Sequence, residues 1–175
     1  GEEIGTSKVV SKNKKMQIQN GTLQNNSHLK EKKTEESADY TAMYEKAAEH
    51  LQETEYWSER GLSIETCQKF GIGYVSKWKH PKAPVGVPYS PRLIVPISAN
   101  SYLARDVRKE IAEVEKEYAK MKVGKMSLFN KEAMKNGTFF VVEGEIDALS
   151  IEEVGYKAVG LGSVVMKQKF IILIQ

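Results

Sequence analysis

Apolar positions are scattered without period over residues 1–38 and become regular only from Asp39 onward. Residues 1–38 contain no Phe, Trp, Tyr or Pro and are dominated by Lys, Asn, Gln, Glu, Ser and Thr. Such a stretch buries too little apolar surface to offset its ordering entropy, so it reads as a flexible polar linker. Tyr40, Met43, Tyr44, Ala47, Ala48 and Leu51 then recur at spacings of three and four, which predicts a helix with Ser37 or Asp39 at its start. A short second helix carries Tyr56 and Trp57 and stops at Gly61; a third runs from Ile64 to Phe70, capped by Ser63.

Beyond Gly73 the pattern changes to strands. Residues 72–76 are rich in branched and aromatic side chains, and Pro81, Pro84, Pro88 and Pro91 predict an extended loop. Residues 92–98 and 101–107 predict two strands joined at Ala99-Asn100 as a hairpin. Residues 108–136 are densely charged, and Ile111, Val114 and Tyr118 have the spacing of a helix, which is the expectation for this stretch. After them comes a βαβα alternation: a buried strand at 138–142, a helix at 145–154, a strand at 157–161 and a helix at 165–174. That order implies a parallel sheet, so the fold class is α+β grading into α/β.

Composition narrows the function classes. The net charge of +3 is mildly basic and does not by itself argue for nucleic acid. Cys67 is the single cysteine and the three histidines are dispersed, which leaves neither a disulfide framework nor a zinc signature. No run approaches the ~18 apolar residues of a membrane span, and the first residues lack a signal-peptide pattern. A reducing, cytoplasmic setting is the expectation.

The candidate chemistry lies in Val141-Val-Glu-Gly-Glu-Ile-Asp-Ala-Leu149. The strand ends at Glu143, Gly144 permits a sharp turn, and Asp147 falls in the first turn of the next helix. Both carboxylates then stand at the carboxyl edge of a parallel sheet, where open α/β folds place their sites. Carboxylate oxygens suit Mg²⁺, which completes its shell with water and phosphate oxygens. The same two acids also suit the positive end of a helix, and the nine residues alone leave both readings open.

In context the motif resembles a Toprim domain: Glu-Gly-x-x-Asp-Ala-Leu follows a Phe-Phe-Val-Val strand and precedes Gly155-Tyr-Lys-Ala-Val-Gly-Leu-Gly162-Ser. Upstream, Glu59-Arg-Gly-Leu-Ser-Ile-Glu65, Phe70-Gly-Ile-Gly-Tyr74, Arg92-Leu-Ile-Val-Pro-Ile97 and Ala104-Arg-Asp106 resemble the subdomain that precedes Toprim in bacterial and phage-type DNA primases, including the primase-helicase type. Lys120-Met-Lys-Val-Gly-Lys125 with Leu128-Phe-Asn-Lys131 is similar to the basic segment bordering the primase active site. The likeness covers roughly residues 40–165 and rests on several motifs in order.

The resemblance implies a division into the linker at 1–38, a template-binding subdomain at 39–136 and the first half of a Toprim domain at 137–175. It implies Glu143 as metal ligand or general acid/base and Asp147 as its orienting partner or fellow ligand, with Mg²⁺ or Mn²⁺ as cofactor. It assigns Arg105, Lys120, Lys122, Lys125 and Lys131 to triphosphate or template phosphates, with Gly144 and Gly162 in the two turns of the site. The implied partners are a single-stranded DNA template, ribonucleoside triphosphates and a replicative helicase, fused or separate. A complete Toprim domain carries a further Asp-x-Asp motif, which this chain does not reach, so the chain reads as a fragment of an enzyme and by itself inactive. The rival readings are a topoisomerase or nuclease of the Toprim type, and a non-catalytic module built on the helices at 39–70. A helix-turn-helix there would have only Lys69 as a cation on its recognition helix.

Overall fold

The computed structural model describes residues 38–163 apart from Met126 and Asn136. The linker expected at 1–38 lies, but for its last residue, outside the described residues, and the helix expected at 165–174 lies wholly outside them. α1 (Thr41–Glu49) opens where Asp39 accepts a hydrogen bond from the Thr41 N–H at 2.8 Å. A 3₁₀ turn at Leu51–Glu53, α2 (Tyr56–Glu59) and α3 (Ile64–Lys69) follow.

Four antiparallel strands form the first sheet in the order β1-β2-β3-β4: β1 (Gly73–Trp78), β2 (Ser90–Ser98), β3 (Ser101–Asp106) and β4 (Lys120–Gly124). Both faces of this sheet are covered, which is why β2 reads as a continuous apolar run. Leu93 and Val95 of β2 and Leu103 of β3 pack with Leu51, Leu62, Cys67, Ile72, Ala148 and Leu149 on one face. Ile94, Tyr102 and Ala104, one residue out of phase, pack with Ala47 and Trp78 on the other. α1 is tied to the hairpin turn by the Tyr44 hydroxyl, which donates to the carbonyls of Ser98 and Ser101 at 2.9 and 3.0 Å. Pro96 of β2 lies beyond the end of the β1 pairing, which begins at Gly73 opposite Ile94, so its missing N–H breaks no ladder on that side.

β5 (Phe140–Val142) and β6 (Ala158–Gly160) run parallel and are joined by α4 (Glu145–Glu153). Phe129 bridges to Gly160, so the segment after β4 docks directly on β6. Ala148 and Leu149 of α4 and Ala158 of β6 are fully buried in the same cluster as Leu93 and Leu103. One core therefore runs from the antiparallel sheet into the parallel pair, and the mixed α+β to α/β class expected from the sequence is the one observed. No helix among the described residues is long and apolar enough to cross a membrane.

The α-helix expected within 108–136 is not there. The stretch holds a 3₁₀ turn at Glu113–Tyr118, β4, and a second 3₁₀ turn at Lys131–Lys135. Lys120-Met-Lys-Val alternates, and the open edge of β3 selects that period of two. Val123, with Met121 against it, fills the cluster around Ile94 and Tyr102, while the two lysines face the other way. The charges that obscured the pattern are consumed locally. Buried Asp106 pairs with Arg92 and Arg108, Arg108 also reaches Glu115 at 2.6 Å, and Arg92 donates to the Tyr118 carbonyl at 2.6 Å. Burial works against the Asp106 charge, but hydrogen bonds from Arg108 and the two guanidinium charges outweigh it and hold the carboxyl below its ordinary value.

Ser63 caps α3 as expected, its hydroxyl accepting from the Thr66 N–H at 3.2 Å. Its own N–H and O–H donate to Glu153 of α4 at 2.9 and 3.0 Å, so the cap also ties α3 to α4. Ser63→Ala is expected to cost about 1 kcal/mol in urea unfolding of the chain. A change below a few tenths would remove the cap from the account.

Candidate functional site

The ladder between β3 and β4 sets the site. Arg105 stands directly opposite Lys120, and Leu103 opposite Lys122. Because side chains alternate along a strand, Arg105, Lys120 and Lys122 share the face on which Leu103 meets α4. The loop from β5 into α4 reaches the same face. A hollow of about 200 Å³ there is lined by Arg105 and Lys120 from the antiparallel sheet, Gly144, Ile146 and Asp147 from the head of α4, Tyr56 from α2 and Arg60 just after it.

Cations dominate this hollow. The Tyr56 hydroxyl accepts from Arg60 Nη2 at 2.9 Å and from Arg105 Nε at 3.1 Å, and the Arg60 guanidinium lies 5.0 Å over the Tyr56 ring. Neither arginine pairs with a carboxylate among the described residues. A phenol oxygen thus fixes two guanidinium groups without neutralising them, which leaves their remaining N–H donors for an anion. The hollow continues past Tyr56, Arg60 and Arg105 into a second of about 650 Å³. There the charges are already spent, Arg108 on Asp106 and Glu115, and Lys109 on Glu59 at 2.9 Å.

The two acids flanking Gly144 have different surroundings. Asp147 Oδ2 accepts the Gly144 N–H at 3.2 Å, the reach-back of an acid in the first helical turn. A Cβ at position 144 would come 2.7 Å from that oxygen, so a side chain there would displace the Asp147 carboxylate from its reach-back. Glu143 follows β5 directly and is exposed, and its carboxylate has no hydrogen-bond or ion-pair partner among the described residues. Its backbone carbonyl accepts the Gly162 N–H at 2.7 Å, which brings the turn after β6 beside the turn after β5.

Between the two turns lies a residue that reasoning from the sequence passed over. Glu145 is 1% exposed and ion-paired with Lys122, whose ammonium also donates to the Gly162 carbonyl at 2.8 Å. Gly162 has φ +68°, and a Cβ there would overlap both the Lys122 ammonium and the Glu145 carboxylate, so only glycine fits.

No protein-family model matches the chain, and no curated protein matches it by sequence. Solved structures do match by fold. The DnaG catalytic core aligns with a TM-score of 0.51 and 16% identity, covering 70% of this chain and 52% of that one. A DnaG primase catalytic domain bound to single-stranded DNA aligns with a TM-score of 0.50 and 18% identity, covering 70% of this chain and 53% of that one. The chain has a bacterial primase-like fold. It spans about half the length of the structures it resembles.

Within this primase-like fold the residues singled out in the sequence separate into groups. Arg105, Lys120, Gly144 and Asp147 line one hollow. Lys122 and Gly162 meet each other and Glu145 beside it. Lys125 lies past the end of β4 and lines a different hollow, of about 600 Å³, with Lys82, His80 and Tyr40. Lys131 is exposed on the 3₁₀ turn at Lys131–Lys135 and lines none of these hollows. The five cations expected to act together are thus not one cluster: strand parity joins Lys120 to Lys122, and Gly124 and Asn130 carry the later lysines away. Tyr56, Arg60 and Glu145 were missed. For Glu145 a signal existed, a third carboxylate in Glu-Gly-Glu at the one position of the turn facing the sheet; Arg60 lay within the Glu59-Arg-Gly-Leu-Ser-Ile-Glu65 motif without being singled out as a cation, and Tyr56 had no signal beyond its place in a short helix.

The helix-turn-helix alternative loses the one cation of its recognition helix, α3, since Lys69 is held by buried Glu152 at 2.7 Å. Cys67 is fully buried, and burial pushes its thiol up to about 11, far from a nucleophile's range.

Proposed function

We propose that this chain is part of a DNA primase that condenses ribonucleoside triphosphates on a single-stranded DNA template, releasing pyrophosphate. The observation that carries the reading is the hollow in which Arg60, Arg105 and Lys120 face the Gly144 turn and Asp147 within a primase-like fold. Its volume of about 200 Å³ suits a phosphate group, and the adjoining hollow gives a nucleotide or template strand room to extend. Developing phosphoryl charge is stabilised by such preorganised cations. The similar DnaG domain bound to single-stranded DNA supports the same template for this chain. On this reading residues 39–136 act as the template-binding subdomain and 137–175 as the first half of a Toprim domain.

Mg²⁺ or Mn²⁺ fits the donors present. Glu143 offers an unpartnered carboxylate and Asp147 a second, while no group of three or more potential ligands occurs among the described residues. Two carboxylates with phosphate oxygens and water suffice for Mg²⁺. Glu143 and Asp147 would hold the ion, whose contribution is to neutralise phosphate charge. The resemblance of Glu-Gly-Glu-Ile-Asp-Ala-Leu to the phage-type primase motif extends the proposal to a replicative helicase as partner, fused or separate.

Primer synthesis by the full-length protein tests the reading. Arg105→Ala should raise KM for ribonucleoside triphosphate or template about tenfold, as the loss of a charge-assisted hydrogen bond does. Unchanged KM for both, with synthesis intact, would remove the hollow from the catalytic path. DNA cleavage in place of synthesis would favour the topoisomerase or nuclease class.

A further inference from the structure

Among the described residues, Glu145 carries a buried charge that is only half partnered. One of its oxygens is committed to Lys122; the other, Oε2, is buried and has no hydrogen-bond partner among the described residues. A buried carboxylate oxygen left without a donor is costly, so its surroundings need a reason. Besides Lys122, the cation facing it is Lys120, whose Nζ stands 3.9 Å from Oε2, too far for a hydrogen bond and close enough for attraction. Lys120 is half-exposed and lines the hollow with Arg105 and Asp147. It has no other carboxylate partner among the described residues. The backbone of β4 holds Lys120 and Lys122 on one face, and the Gly162 turn closes over the Lys122 ammonium from the far side.

We propose that Glu145 is a positioning residue which, anchored through Lys122, competes with an anion in the hollow for Lys120 and so sets how firmly that lysine grips it. The proposal rests on the reading of the hollow as an anion site. With the hollow empty, Lys120 leans toward Oε2; with a polyphosphate present, it turns outward, and the standing carboxylate favours its return when the anion leaves. A site that must let an anionic product go gains from a lysine with a second place to stand.

Isothermal titration of the full chain with inorganic tripolyphosphate, at fixed ionic strength, tests this. Glu145→Gln is expected to tighten binding roughly two- to fivefold, the scale of a half-exposed ion pair. In the presence of Lys120→Met the same substitution is expected to give no gain, because the effect acts through that lysine. Should Glu145→Gln unfold the chain by stranding Lys122, the double variant Lys122→Met with Glu145→Leu replaces the whole pair by apolar groups of similar size. That variant leaves the net charge unchanged, so tightening there reports release of Lys120 and not a change in the overall field. Unchanged or weaker binding, a gain that persists without Lys120, or no binding to any form overturns the proposal. Primer synthesis plays no part in this titration, so a failure of the polymerase reading and a failure of this one are separately visible.

Discussion

Glu152→Ala is expected to destabilise the chain by about 3–5 kcal/mol, enough to unfold many domains of this size at room temperature. The Glu152 side chain is 1% exposed and accepts from four directions. Lys69 of α3 reaches it at 2.7 Å, Asn130 Nδ2 at 2.9 Å, the Ala158 N–H of β6 at 3.1 Å and Lys157 at 3.4 Å. It therefore joins α3, the segment after β4, and β6 to α4. Truncation strands the buried Ala158 N–H, takes one of two acceptors from the Asn130 amide and removes the charge partner of Lys69. Burial works against the Glu152 charge, but the hydrogen bonds from Lys69 and the Ala158 N–H, with the Lys69 and Lys157 charges, outweigh it and hold the carboxyl below its ordinary 4.5. A depressed folded value means that the unfolded chain takes up the proton first. The stabilisation is complete above 4.5 and is lost as the pH falls through the lower folded value. Urea unfolding across pH 2–7 should show wild type losing stability below about 4.5 more steeply than Glu152→Ala, which keeps only the slope from other depressed carboxyls such as Asp106. An unfolding free energy within about 1 kcal/mol of wild type for Glu152→Ala would sink this account of the α3–α4–β6 junction.

That junction also marks what the sequence could tell. Elements whose period was set by one buried stripe or by turn residues were legible: α1 from Tyr40, Met43, Tyr44 and Ala47, the β2–β3 hairpin from Ala99-Asn100, α4 from its glycine turn. β4 was not, because it holds as many lysines as apolar residues and the partner that selects a strand, the edge of β3, is non-local. The same non-locality hid half of the site. Glu143, Gly144 and Asp147 are adjacent in sequence and visible as a motif, and Arg105 and Lys120 lay in recognisable basic segments. Tyr56 and Arg60 sit in and just after a four-residue helix whose position is fixed only by tertiary packing. Glu145 and Glu152 look like surface charges in a helix that reads as half acidic, and only the docking of that helix against two sheets makes them buried. Buried charge is the feature that sequence pattern reports worst, since its sign of burial is the partner and not the period.

Glu143→Gln in the full-length protein is expected to lower the turnover of primer synthesis by about 10²–10⁴, the range for loss of a general acid/base. Glutamine keeps the size of the side chain and one acceptor oxygen but can neither carry a proton at neutral pH nor offer a full charge to a cation. Nothing among the described residues depends on that charge. The Glu143 carboxylate has no partner there, and the backbone contact to Gly162 survives the substitution. Thermal stability should accordingly stay within about 0.5 kcal/mol of wild type, as for a surface change away from special features. The combination separates the two readings that the motif left open. An acid that serves only the positive end of α4 contributes a few tenths of a kcal/mol to stability and nothing to catalysis, so synthesis would persist with a slight loss of stability. Asp147 already fills the capping role by accepting the Gly144 N–H, and α4 has Glu145 in its first turn as well, which leaves Glu143 redundant as a cap. Glu143 itself is exposed, and its neighbour Gly144 lines the hollow that holds Arg60 and Arg105. Steady-state primer synthesis on single-stranded template with labelled ribonucleoside triphosphates measures the first quantity and urea unfolding the second; undiminished turnover by Glu143→Gln would return the acid to the surface.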